Sequence, residues 1–134
     1  MNNYVPTDYQ KKAFRVVDYG GECYLERIPH RQFSTKHIYK ALQYSIAKWT
    51  VILELLERGV DLEHCGEGTT CALCRMCFGC KGCPIVIYVD DTGCGSTPYS
   101  SKLWFGDIKD RLENTKKELA FLQKVYRWWM MRGQ

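Results

Sequence analysis

Seven of the chain's eight cysteines fall between Cys65 and Cys94. Two CxxC pairs lie within that run, Cys71-Ala72-Leu73-Cys74 and Cys80-Lys81-Gly82-Cys83, and Cys94-Gly95 follows a turn-like Asp90-Asp91-Thr92-Gly93. A two-residue spacer lets a tight knuckle aim two sulfurs at one ion about 2.3 Å away, with nearby backbone N–H groups stabilising the thiolates. Glycines at Gly79, Gly82, Gly93 and Gly95 suit such turns. The segment 64–99 is therefore expected to bind a metal through Cys71, Cys74, Cys80, Cys83 and Cys94.

Five residues separate the two pairs, fewer than the 12 or more typical of zinc ribbons. The preferred ligand set is accordingly Cys71, Cys74, Cys83 and Cys94, with Cys80 the leading substitute. Thiolates at these spacings favour Zn2+. The alternative is an iron–sulfur cluster, because Cys71, Cys74, Cys77, Cys80 and Cys83 recur every three residues and Pro84 follows the last. That run departs from the bacterial ferredoxin pattern in its final spacer and has no remote partner. Isolated Cys23 reads as a small buried residue, and His64 as a surface or supporting histidine.

The rest of the chain is patterned for helices. After Ser34 as N-cap, apolar residues recur at Ile38, Leu42, Ile46, Trp49, Leu53 and Leu56 until Gly59 stops the run. Lys36, Lys40, Gln43, Lys48, Glu54 and Glu57 occupy the other face, as expected of a helix with one buried stripe. A second stripe runs through Ile108, Leu112, Thr115, Leu119, Leu122, Tyr126 and Trp129. The two helices, over 35–58 and 107–131, would each be about 35 Å long and pair antiparallel. Ahead of them, Gly20-Gly21 between strand-like segments predicts a β-hairpin over 12–28. Between them, Pro84–Val89 reads as a short buried strand. The expected fold is a single α+β domain, residues 1–134, with a zinc-knuckle insertion between two long helices.

The run CALC, then CKGCP, then CGSTPY, followed by an aromatic and an amphipathic helix, resembles small cysteine-rich proteins of phages and prophages with a CxxC, CxxCP, CG[ST]PY arrangement. The resemblance spans about Cys71 to Trp104, and Cys65 and Cys77 are additional to it. It implies a metal-binding knuckle and a mobile-element origin. Small non-enzymatic phage proteins act by binding something of the host's, such as a defence protein or the transcription machinery, so a host protein is the first expected partner. Such a protein would act as an inhibitor of a host defence or regulatory system.

Tyr99, Trp104, Trp128, Met130 and Met131, with Tyr126 and Trp129 beside them, are the candidate contact residues, because aromatics and methionine are enriched at binding surfaces. Nucleic acid is the alternative partner, through Lys11, Lys12, Arg15, Arg27, Arg31, Lys36 and Lys40. Homodimerisation through the helices is a third arrangement. The charge of +4 and pI near 8.6 discriminate little, since four thiolates and one Zn2+ would leave about +2. No catalytic residues are expected: no nucleophile–base pair stands out, and an all-thiolate shell leaves no open metal position. No apolar run reaches the 18 residues that suggest a membrane span, and the start MNNYVPTDYQ lacks a signal-peptide pattern. A cytosolic setting, which keeps thiols reduced and available to metal, is expected.

Overall fold

Glycine at the right two positions shapes much of what can be seen. The structure is a computed structural model and describes residues 4–20, 22–27, 38–60, 88 and 107–132. In chain order these form α1 (Asp8–Lys11), β1 (Phe14–Tyr19), β2 (Glu22–Arg27), α2 (Ile38–Glu57) and α3 (Ile108–Arg132). Strands β1 and β2 pair antiparallel from Phe14↔Arg27 to Tyr19↔Glu22, leaving Gly20 and Gly21 as the two-residue connection. Gly20 has φ 64°, the left-handed geometry that primed hairpin turns require.

The C-terminus of α2 closes in a Schellman motif. Gly59 N–H donates to the Leu56 carbonyl at 3.0 Å, and Val60 N–H to the Leu55 carbonyl at 3.0 Å, with Gly59 at φ 84°. These bonds satisfy carbonyls that the helix itself leaves unpaired, and Val60 and Leu55 both pack against the core. A Cβ at Gly59 would meet nothing within 4 Å, so Gly59→Ala incurs only the backbone penalty of the left-handed region. A loss of about 1 kcal/mol is expected by denaturant titration, and Gly59→Asn should lose less.

Helices α2 and α3 pack antiparallel. The Tyr39 hydroxyl, near the start of α2, donates to the Trp129 carbonyl near the end of α3 at 3.2 Å, and Gln43 Nε2 donates to the Tyr126 hydroxyl at 3.3 Å. Their 20 and 25 residues correspond to about 30 and 38 Å, so α3 is the longer rather than a matched partner. Ala41, Leu42, Ile46, Ala47, Trp49 and Ile52 of α2 are fully or almost fully buried with Leu122 and Val125 of α3, and Phe14 brings the base of the hairpin into the same cluster.

Two expectations need correction. Lys48, placed on the solvent face by its spacing, is 0% exposed, and every residue from Tyr44 to Trp49 is buried. The middle of α2 is thus enclosed around its circumference rather than along one stripe. Its ammonium lies 5.3 Å from the Trp49 ring centroid, an attraction that partly offsets the cost of desolvating a cation. Tyr88, the one described residue of the expected strand over 84–89, has helical backbone; a short apolar run fits a buried helix as well as a strand.

On α3 the deepest line is Arg111, Thr115, Glu118, Leu122 and Val125. It shares Thr115 and Leu122 with the apolar stripe, but Leu112, Leu119, Tyr126 and Trp129 flank it as partly buried residues. The buried Thr115 hydroxyl is satisfied by the Arg111 carbonyl at 2.7 Å. At the N-terminus of α3, Asp107 Oδ1 accepts from Asp110 N–H at 3.0 Å and Asp110 Oδ2 accepts from Asp107 N–H at 3.2 Å, a reciprocal capping box built from two aspartates. The backbone bond from Asp110 holds the Asp107 carboxyl below its ordinary value.

Helix thus dominates the described residues. The intervening 61–87 and 89–106, with most of the proposed knuckle, lie outside them.

Candidate partner-binding site

The last turn of α3 gathers aromatic, thioether and guanidinium groups, because Trp128, Trp129, Met130, Met131 and Arg132 follow one another and a helix fans consecutive residues around its axis. The Arg132 guanidinium lies over the Trp128 ring at 4.5 Å and the Trp129 ring at 5.7 Å. Trp128 meets Trp129 nearly edge-on, with centroids 5.2 Å apart and planes at 87°. Tyr88 adds a T-shaped contact to Trp128 at 5.3 Å and another to Phe121 at 5.8 Å. Such edge-to-face pairs each contribute about 0.5–1.5 kcal/mol beyond area burial, so the rings are held rather than free to rotate.

Around these held rings the surface stays open. Trp128, Trp129 and Met130 are half-buried, while Met131 is 68% exposed. The Tyr39 hydroxyl occupies the Trp129 carbonyl, one of the four that the helix end leaves without an intrahelical partner. Arg132 also complements the negative end of the helix dipole. Rigid aromatics and methionine are residue types enriched at protein-binding surfaces.

Of the residues expected to make contact, Trp128, Met130 and Met131 lie in this last turn of α3, as does Trp129. Tyr126 faces the other way, into the N-terminal arm, where its ring lies 5.3 Å from that of Tyr4. Tyr99 and Trp104 lie outside the described residues. So do Cys71, Cys74, Cys80, Cys83 and Cys94, as well as Cys65, Cys77 and His64. Among the described residues, no group of three or more His, Cys, Asp or Glu could hold a metal ion, and no helix is long and apolar enough to cross a membrane.

The basic residues weighed for nucleic acid are partly dispersed. Lys11 pairs with Glu54 at 2.9 Å, beside an open groove of about 360 Å³ lined by Asp8, Lys12, Phe14, Val51, Leu55 and Arg58. Lys12, Arg15 and Lys40 are exposed, but Asp8 and Glu54 interrupt the positive surface. Arg31 and Lys36 lie outside the described residues.

Sequence reasoning missed the N-terminal segment. Thr7 caps α1 by accepting from Gln10 N–H, while the Gln10 side chain accepts from Thr7 N–H at 3.0 Å. The signal was present as Thr7-Asp8-Tyr9-Gln10, a capping-box spacing, in a helix too short for hydrophobic periodicity to reveal. Comparison with protein-family models, curated proteins and solved structures finds no match for this chain.

Proposed function

We propose that the chain is a non-enzymatic binding protein of phage or mobile-element origin, stapled by zinc, that acts on a host protein in the cytosol. The observation that carries the binding role is the C-terminal surface of α3, where Met131 stands 68% exposed beside a Trp128 ring fixed between Arg132 and Tyr88. An anchored aromatic beside a solvent-exposed thioether has the composition of an interface centre, where a few residues carry most of the binding energy. The zinc rests on donor chemistry: clustered thiols at CxxC spacing form a closed tetrahedral shell, which would shape the connection between α2 and α3.

The test compares the intact chain with Trp128→Ala/Met131→Ala as baits in host lysate, with quantitative mass spectrometry of retained proteins and nucleic acids. Loss of two interface-centre residues should lower retention of a specific protein at least tenfold, as expected for truncation of such groups. Equal retention by both baits would remove this surface from the account. Retention of DNA or RNA in place of protein, falling steeply with salt, would favour the nucleic-acid alternative.

A further inference from the structure

The N-terminal arm, Tyr4 to Thr7, lies across the seam of α2 and α3 and is held there by side-chain amides. Gln123 Oε1 accepts from Tyr4 N–H at 2.7 Å, and Gln123 Nε2 donates to the Tyr4 carbonyl. A single amide group thereby satisfies both backbone groups of one residue, as a neighbouring strand would. It reads the main chain and is indifferent to the side chain.

Selectivity comes from a second circuit. The Tyr4 ring packs against Tyr126 at 5.3 Å with planes tilted by 46°, and its hydroxyl donates to Gln10 Oε1. Gln10 Nε2 donates to Gln43 Oε1 at 3.3 Å, and Gln43 Nε2 donates to the Tyr126 hydroxyl at 3.3 Å. Gln10 is 8% exposed and belongs to α1. Burial raises the Tyr4 hydroxyl above its ordinary pKa, so it remains a donor. Immediately beyond this anchor, Val5 is 77% exposed.

We propose that Gln10, Gln123 and Tyr126, with Gln43 bridging Gln10 to Tyr126, form a recognition site for an extended segment of a partner protein bearing a tyrosine, and that the chain's own arm fills it in cis. The partner's chemistry is that of the cis occupant: an extended backbone at one residue for Gln123, and a phenol for Tyr126 and Gln10. A tethered occupant competes at high effective concentration, so it lowers the apparent affinity for any segment offered in trans. Trp128 is two residues from Tyr126 on α3 and therefore lies on the other side of that helix. Loss of lysate capture in Trp128 variants and loss of peptide binding in a Gln123 variant are separate readouts.

The probe is a fluorescently labelled peptide with the sequence of residues 2–7, titrated by anisotropy against the full-length chain. Tyr4→Ala, which weakens the cis occupant, should bind it at least tenfold more tightly than the unaltered chain. Adding Gln123→Ala should reverse that gain. A peptide with its tyrosine replaced by alanine should fail to bind the same Tyr4→Ala protein, an arm that needs no further variant to fold. Equal affinity for the unaltered and Tyr4→Ala chains, undiminished binding after Gln123→Ala in a helical protein, or equal binding of the tyrosine-free peptide would each overturn the proposal.

Discussion

Stripping the metal from the purified chain should collapse the connection between α2 and α3 while leaving much of the helical signal in place. Under the proposed function, the ion's binding energy is folding energy for that connection. Apparent values for structural zinc in small peptides are about 10–16 kcal/mol at neutral pH, far beyond the effect of an ordinary substitution. The described core is built from Leu42, Ile46, Trp49, Ile52, Leu122 and Val125 with Phe14. Far-UV circular dichroism should therefore fall only in part, and near-UV signal and thermal midpoint should fall strongly. Cys71→Ser with Cys74→Ser should reproduce the stripped state. Acidification should do the same, because protons compete with the ion for thiolates. Unchanged near-UV spectra and thermal midpoint after verified metal removal would separate the cysteines from the fold.

Trp49→Ala should be the most damaging single substitution among the described residues. Trp49 is 1% exposed and is the largest of the fully buried side chains. Its removal forfeits the burial of a large ring and leaves a cavity that neighbours such as Ile46 and Ile52 only partly fill. Large-to-small changes of this kind cost about 3–5 kcal/mol. That is a large share of the about 5–15 kcal/mol by which domains are stable, and corresponds to a thermal midpoint about 10–20 °C lower. Trp128→Ala is the contrast: it loses two edge contacts and a cation–π contact on a half-open surface and should cost about 2 kcal/mol. Comparable losses for both would mean that the α3 terminus is core rather than a docking surface.

The helices were legible because their apolar residues recur with a period near 3.6, and Gly59 marked the end of α2 by the left-handed geometry that glycine tolerates. The hairpin was legible from Gly20-Gly21. What periodicity hid was the depth of particular charges. Lys48, Arg111 and Glu118 carry charge, so a pattern that equates charge with solvent places them outside, yet all three are buried. A helix enclosed on more than one side must bury part of its polar face, and a sequence does not announce how many neighbours a helix will have. At the candidate site, the composition of the Trp128–Met131 run was readable, whereas the fixing of Trp128 by Arg132 and Tyr88 was not. Tyr88 is forty positions from Trp128 in the chain, and no local spacing links them. The N-terminal arm was missed for a similar reason: its anchors are Gln123 and Tyr126 at the far end of the chain.

The central claim is that the cysteines of 71–94 hold zinc as a structural staple. Elemental analysis of the chain, purified without chelator and paired with thiol titration under native conditions, tests it most directly. The account predicts about one zinc per chain in a tetrahedral thiolate site, no stoichiometric iron, and ligating thiols that react only after the metal is displaced. Stoichiometric iron with visible absorption, or a metal-free protein whose clustered thiols all react at once, would contradict it.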